Sequence, residues 1–208
     1  MRPVTFLRHQ FHNLIFLPER VRYQRRYGTS PFQVGTQLTK TERLGLYRLV
    51  TKEKLPHTVV EIGSYIGGSA QFLGRAVKER GGKLYCVDTW QNDAMSEAKM
   101  DTYDQFMVNT QALRDVIIPL RGDSTEVAAS FDADIQVLFI DGDHSYEGCK
   151  KDVSAWIPKM VDSGLVIFHD YTWAEGVRRV ISEQIVPIKC GRGGRLHSLY
   201  WTHVKRAG

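Results

Sequence analysis

The sequence predicts an α/β fold, a doubly wound parallel sheet behind a helical extension, and three observations predict it. From Thr58 onward, short apolar runs of strand length alternate with segments of helical length, the pattern of a sheet covered on both faces. The run Val137–Ile140 is apolar without interruption, as a strand buried on both sides must be, and it breaks off at Asp141 into Gly142, Asp143 and His144. The stretch Glu61-Ile-Gly-Ser-Tyr-Ile-Gly-Gly-Ser69 puts glycines between the first strand and its helix. In open sheets of this kind, ligands bind at such strand ends.

Taken in order, Val4, Leu7, Phe11, Leu14 and Ile15 recur at helical spacing up to Pro18. Glu19–Tyr27 follows, basic and aromatic, closed by Gly28 and a turn at Pro31. Thr39 to Glu42 fits a capping box, with Leu44, Tyr47 and Val50 on one face of the helix it starts and Pro56 as its stop. The predicted strands are Thr58–Ile62, Lys83–Asp88, Val116–Leu120, Ile135–Asp141 and Gly164–Phe168. The predicted helices between and after them are Gly68–Arg80, a segment near Thr102–Arg114, one after Gly122-Asp-Ser124, Tyr146–Lys159 and Trp173–Ile185. Gly81 and Gly82 stop the first of these. Trp90–Lys99 is polar and irregular. Val186–Cys190 and His197–His203 flank Gly191-Arg-Gly-Gly194 as an expected β-hairpin, adding antiparallel strands at one edge. The division expected is a basic helical extension over residues 1–57 and a main domain over 58–208.

At 208 residues the chain suits one such domain with a full core, and 42% hydrophobic with 25% charged residues is ordinary for a soluble protein. No run is long and apolar enough to span a bilayer, and Arg2, Arg8, His9 and His12 interrupt any signal-like stretch. Cys86, Cys149 and Cys190 are far apart and odd in number, so neither a disulfide framework nor a zinc cluster follows; reduced thiols and a cytoplasmic location are expected. Residues 1–57 hold eleven Lys and Arg against three acidic residues, so the net charge of +5 belongs to the extension. A nucleic-acid binder more often carries its basic face on the folded domain, and no nucleic acid is expected. The extension suits packing on the domain or on a second subunit, as in a homodimer. Alternatively it rests as a basic amphipathic helix on an anionic membrane surface, or touches substrate.

Several residues bear on chemistry. Tyr65 stands where a dinucleotide fingerprint has its second glycine, which argues against a pyrophosphate on the turn and leaves a smaller adenosine ligand open. Asp88, ending the second strand, can accept both hydroxyls of a ribose. Trp90 can stack on an adenine or pack in the core. Asp123 and Ser124 can read the adenine edge or cap a helix. Asp141 and Asp170 end adjacent strands about 5 Å apart. Two converging carboxylates repel unless one is protonated or a cation lies between them, so they either hold a divalent ion such as Mg²⁺ or Mn²⁺ or are hydrogen-bonded structural groups. His169 could add a nitrogen ligand, although strand alternation points it away from Asp170 unless the backbone turns there. Asp143 and His144 are both placed to take a proton from a hydroxyl. Tyr146 reads as packing, and the Arg178-Arg179 pair as solvated.

These residues resemble the class I S-adenosylmethionine-dependent methyltransferases, and within them the macrocin O-methyltransferase-like branch, related to catechol O-methyltransferase. The resemblance runs from Thr58 to about Ile185. It rests on Glu61–Ser69, on Ile140-Asp-Gly-Asp-His-Ser-Tyr-Glu147, and on Val166-Ile-Phe-His-Asp170 with Gly176-Val-Arg-Arg179. It implies a Rossmann-like sheet of seven strands in the order 3-2-1-4-5-7-6, with strand 7 antiparallel. It implies S-adenosylmethionine as cofactor, bound by Glu61, Gly63, Ser64, Tyr65, Gly67, Asp88, Trp90, Asp123, Ser124 and Asp141. Asp141 and Asp170 match metal-ligand positions, with His169 the candidate nitrogen ligand beside them. Asp143 falls where sugar-modifying relatives place a general base, His144 being the other candidate from its own chemistry. The acceptor would be a hydroxyl of a small molecule or glycosyl group. The departure is at His169-Asp170, where those relatives usually carry two acidic residues or Asp-Asn. Two alternatives remain: a metal-independent methyltransferase with a histidine base, and a non-catalytic adenosine-binding or assembly module. The acceptor pocket is expected from Trp90–Asp104, the extension and the final hairpin.

Overall fold

A computed structural model describes residues 16–54, 58–91 and 100–206. The expected first helix, the Pro56 stop and most of Trp90–Lys99 lie outside the described residues. Seven strands form one sheet: β1 Thr58–Ile62, β2 Lys83–Asp88, β3 Ile117–Arg121, β4 Ile135–Ile140, β5 Met160–Phe168, β6 Lys189–Leu196 and β7 Leu199–Val204. Their order is β3-β2-β1-β4-β5-β7-β6. The first five run parallel, while β7 is antiparallel to both β5 and β6. The expected topology is therefore the one formed.

Alternation along the central strands divides the core in two. Val60, Ile62, Leu138, Ile140, Val166 and Phe168 face one side. There they meet Cys149, Val153 and Trp156 of α6 (Tyr146–Trp156) and Val177 and Val180 of α7 (Glu175–Val180). Val59, Val137, Phe139, Leu165 and Ile167 face the other side, toward Leu73, Ala76 and Val77 of α3 (Ala70–Arg80) and Phe106 of α4 (Tyr103–Thr110). Leu46 and Val50 of α2 (Lys40–Lys52) join this second core fully buried, so part of the expected extension shares the core of the sheet. Ahead of it, α1 (Leu17–Tyr27) lays Tyr23 flat on Phe72, their rings 4.7 Å apart, and Gly28 closes the helix at φ +75°. A short helix, α5 (Ser124–Ser130), follows β3.

The capping box is present as expected: the Thr39 hydroxyl accepts from Glu42 N–H, and Thr39 N–H donates to Glu42 Oε2 at 2.8 Å. The hairpin differs. Gly191, Gly193 and Gly194 lie inside β6, and the chain reverses at His197-Ser198, with His197 at φ +51°. The glycines serve packing instead of turning, since a side chain on Gly194 would meet the Trp201 ring at 3.0 Å. If α2 is part of this core, Leu46→Ala removes buried methyl groups that nothing refills. An equilibrium urea titration is expected to show about 2–5 kcal/mol lost from the whole cooperative transition. A loss under about 0.5 kcal/mol would mean that α2 is dispensable to the sheet.

Candidate active site

The carboxyl ends of β1, β2 and β4, where strand order reverses direction, open onto a cavity of about 400 Å³. Its wall includes Gly63, Ser64, Tyr65, Asp88, Asp123, Ser124, Asp141, Asp143 and His144. The volume lies within the range of small-molecule pockets. Of the residues expected to bind a cofactor, Glu61, Gly67 and Trp90 are not on this wall.

Each departure has a local cause. Trp90 is fully buried, its indole N–H donating to the Tyr65 carbonyl at 2.7 Å and its ring set against Tyr103 and Phe106, so it stacks within the core. Gly67, at φ +89°, leaves room for Phe106 and Thr110. Glu61 lies beside Cys86 in the β1–β2 register and is fully buried, with Ser64 Oγ donating to its Oε2 at 2.9 Å and Cys86 Sγ at 3.3 Å. Burial pushes its carboxyl up to about 7, against the pull of those donors. Gly63 answers to close approach: at φ +83°, any side chain would collide with the Asp141 carbonyl.

The turn after β1 is held from below by Asp88. Its Oδ2 accepts from Tyr65 N–H at 2.8 Å and its Oδ1 from Trp90 N–H at 2.7 Å. Tyr65 and Trp90 are both left-handed, at φ +45° and +53°, a conformation unfavourable for large side chains. These bonds hold them in it. Asp123 caps α5, accepting from Thr125 and Glu126 N–H at 2.9 and 3.3 Å, and Ser124 accepts from the Trp156 indole at 2.8 Å. Both still line the cavity. Asp143 Oδ1 likewise accepts from Ser145 N–H at 2.7 Å.

At the ends of β4 and β5 the ladder runs one residue further, through Asp141 N–H to Ile62 O and His169 N–H to Ile140 O. Alternation puts Asp141 and His169 on the side that α2 covers. Asp170 would face away, but its φ of +57° turns the backbone and brings its carboxylate back. His169 Nδ1 lies 3.0 Å from both Asp141 Oδ1 and Asp170 Oδ1, and its Nε2 is 3.6 Å from Glu42 Oε1. His144 Nε2 is 2.6 Å from Asp170 Oδ2. Burial works against a charged His169, yet Asp141, Asp170 and Glu42 outweigh it and push its ring up to about 12. The two histidines hold Asp170 well below the usual carboxylate range in spite of burial, whereas burial raises Asp141. His144 is raised, first by Asp170.

Asp141, His144 and Asp170 can each offer one ligand atom within 4.8 Å of the others, so the group with metal-ligand spacing contains His144 where His169 was expected. His169 has its ring between the carboxylates, which favour its charged form. Two participants were not read from the sequence. Glu42 was seen only as a capping residue; its second oxygen also accepts from Ser198 N–H at 2.8 Å, a pairing 156 positions apart that no local pattern reveals. Asp152, pushed up to about 6 chiefly by burial, lines the cavity from α6; with Gly148 it makes a helical i, i+4 pair that a search for faces could have found.

The fold is that of the class I S-adenosylmethionine-dependent methyltransferases. A methyltransferase-domain family profile matches residues 60–171, more than half of the chain, and the chain belongs to that family. Among curated proteins, the uncharacterized protein y4gI of Sinorhizobium fredii (strain NBRC 101917 / NGR234) is 31% identical over 119 residues, 55% of this chain and 13% of that protein. The chain thus spans a small part of the length of this relative. Among solved structures, cofactor-bound Rv0187 from MTB superposes with a TM-score of 0.68 at 12% identity, over 91% of this chain and 96% of that one. An O-methyltransferase from Bacillus cereus in complex with SAH gives 0.67 at 15% identity, over 94% and 96%. The O-methyltransferase NovP gives 0.59 at 18%, over 79% and 80%. At such identities the likeness is one of fold. No helix among the described residues is long and apolar enough to cross a membrane.

The raised carboxyl of Glu61 has a consequence for stability. An acid whose folded pKa exceeds its unfolded value contributes stability below the unfolded value and loses it as pH rises toward the folded one. For Glu61 that window runs from about 4.5 to about 7. Chemical denaturation of the ligand-free protein is expected to show stability falling across this window, with Glu61→Gln flattening the fall. An unchanged slope in the variant would mean that Glu61 is ionised throughout.

Proposed function

We propose that the chain is an S-adenosylmethionine-dependent O-methyltransferase in which His144, oriented by Asp170, takes the proton from an acceptor hydroxyl. The single observation that carries this reading is the 2.6 Å approach of Asp170 Oδ2 to Nε2 of His144, a residue of the cavity wall. Asp170 Oδ2 has no hydrogen-bond partner among the described residues, so its charge at that distance, not a formed hydrogen bond, favours the tautomer protonated on Nε2 and leaves Nδ1 as the acceptor of a proton. Asp143 is less suited, because its carboxylate already caps Ser145.

S-adenosylmethionine supplies a methyl group that is electrophilic as bound. The work left to the chain is alignment and exclusion of water. Gly63 to Tyr65 would take the methionine portion, Asp88 the ribose and Asp123 with Ser124 the adenine, while Glu61 shapes the turn from beneath. Trp173, 59% exposed, donates its indole N–H to Asp170 Oδ1 at 2.7 Å and lies 5.1 Å from the His144 ring, so it offers a flat face for an acceptor ring. His169 answers the electrostatic problem of two converging carboxylates with an internal cation.

A second reading, favoured by the spacing of Asp141, His144 and Asp170, is a divalent ion held by those three. Such an ion would lower the pKa of a bound hydroxyl. The charge on His169 opposes it, because the ion would lie beside an imidazolium that already neutralises the same oxygens.

Calorimetry with S-adenosylhomocysteine tests the cofactor: one site per chain is expected, weakened at least tenfold in Asp88→Ala, and no binding to the wild-type chain sinks the reading. Once an acceptor is found, His144→Gln is expected to cost about 10²–10⁴ in rate. The wild-type rate should rise with pH along a limb lying above the usual imidazole value, because Asp170 raises His144. Activity is expected to survive EDTA, whereas His169→Asp, which removes the internal cation, should make turnover depend on added Mg²⁺ or Mn²⁺. Wild-type turnover abolished by EDTA and restored by metal would establish the second reading instead.

A further inference from the structure

Asp152 is 6% exposed and belongs to the wall of the active-site cavity, yet the reaction proposed above gives it no task. Helix α6 carries it one turn after Gly148, another wall residue, on the face that α6 turns to the cavity. Its carboxylate is placed from two sides. Oδ2 lies 3.2 Å from the point where a side chain on Gly142 would begin, and the Ser124 hydroxyl is its hydrogen-bonding neighbour. Gly142 and Ser124 both line the cavity, so the carboxylate lies between the loop after β4 and the start of α5.

That carboxylate is under-satisfied. Ser124 already accepts from the Trp156 indole, which leaves a single hydroxyl proton to give. The charged groups that act on Asp152 are Asp123 and Asp143, both of its own sign. A buried carboxylate with two oxygens to satisfy, one hydroxyl beside it and no cation needs a further donor. Among the described residues it is not part of the group with metal-ligand spacing, which points to an organic donor. Asp123 competes for such a donor, but it is exposed and its Oδ1 already accepts from Thr125 and Glu126 N–H.

We propose that Asp152 reads the 6-amino group of the cofactor's adenine, accepting a hydrogen bond from it and so selecting adenosine over nucleosides with an oxygen at that position. On the cofactor reading above, on which this rests, Asp123 and Ser124 border the adenine. A base lying beside Ser124 turns the same edge toward Asp152. In adenine that edge carries N–H donors, which the carboxylate lacks. In hypoxanthine or guanine it carries a carbonyl, so two acceptors would face each other with no proton between them. Burial makes the mismatch expensive, because water is not there to replace the missing donor.

Calorimetry on the full-length chain tests this with two probes, S-adenosylhomocysteine and S-inosylhomocysteine, which differ at one edge of the base, amino group against carbonyl. The wild-type chain is expected to bind the inosyl probe about 10²-fold more weakly. In Asp152→Asn the amide can turn an N–H toward the carbonyl, so the preference is expected to shrink to within about threefold or to reverse. Asp152→Ser, which removes the charge and keeps a hydroxyl, is read in the same way if Asp152→Asn does not fold. A purely structural Asp152 would weaken both probes by one factor and leave their ratio at the wild-type value, and that result overturns the proposal. Equal affinities for the two probes in the wild-type chain overturn it as well, without any variant. A wild-type chain that binds neither probe removes the cofactor reading itself, and this assignment with it, so the two failures are told apart.

Discussion

The ends of β4 and β5 are governed by one electrostatic constraint: three largely buried acidic side chains meet around one imidazole. Burial of a carboxylate costs several kcal/mol unless a partner of opposite charge compensates it. His169 is that partner, lying 3.0 Å from Asp141 and Asp170 and 3.6 Å from Glu42. The cluster joins segments far apart in the chain. Glu42 brings the start of α2, and through Ser198 it brings the reversal between β6 and β7; Tyr171 N–H, donating to the Ser198 carbonyl at 3.0 Å, closes the loop after β5. The hairpin edge, α2 and the ends of β4 and β5 are thereby fixed to one another. Removing the imidazole would leave like charges facing each other and loosen all three.

A similar constraint governs the side of the cavity formed by the ends of β1 and β2. Tyr65 and Trp90 hold left-handed backbones of the kind that cost about 1–3 kcal/mol. Asp88 bonds the backbone N–H of both, and the Trp90 indole returns to the Tyr65 carbonyl. By filling the core, Trp90 fixes the turn on which the proposed cofactor would rest.

The strand order and the positions of Asp88 and Asp141 were legible in the sequence because each follows from a local pattern, an apolar run ending in a carboxylate. The convergence at Asp170 was not, because it depends on one residue adopting φ +57°, which its neighbours in sequence do not dictate. Glu42 was hidden by its success as a capping residue; one oxygen satisfies the helix start and the other reaches a partner 156 positions away. Gly191–Gly194 read as a turn because glycine clusters usually are turns. Here they make room for Trp201, a cross-strand demand visible only once β6 and β7 are paired.

An internal cation also bears on which hydroxyl the proposed reaction can use. An imidazolium neutralises carboxylates but offers no open coordination position, so it cannot lower the pKa of an acceptor as a metal ion does. A phenol, at about 10, lies roughly 3–4 pKa units above an ordinary imidazole, a deprotonation cost of about 5 kcal/mol. An aliphatic alcohol, near water at about 15.7, lies roughly 9 units above it and would cost about 12 kcal/mol. Proton transfer concerted with methyl transfer reduces both figures but keeps their order. Asp170, by raising His144, narrows the gap somewhat in either case. If His169 stays charged, the chemistry favours phenolic or similarly acidic hydroxyls over sugar alcohols, and the exposed ring of Trp173 beside His144 suits a flat acceptor of that kind. In the proposed reaction, residue 169 would then bear on the acceptor as well as on metal dependence.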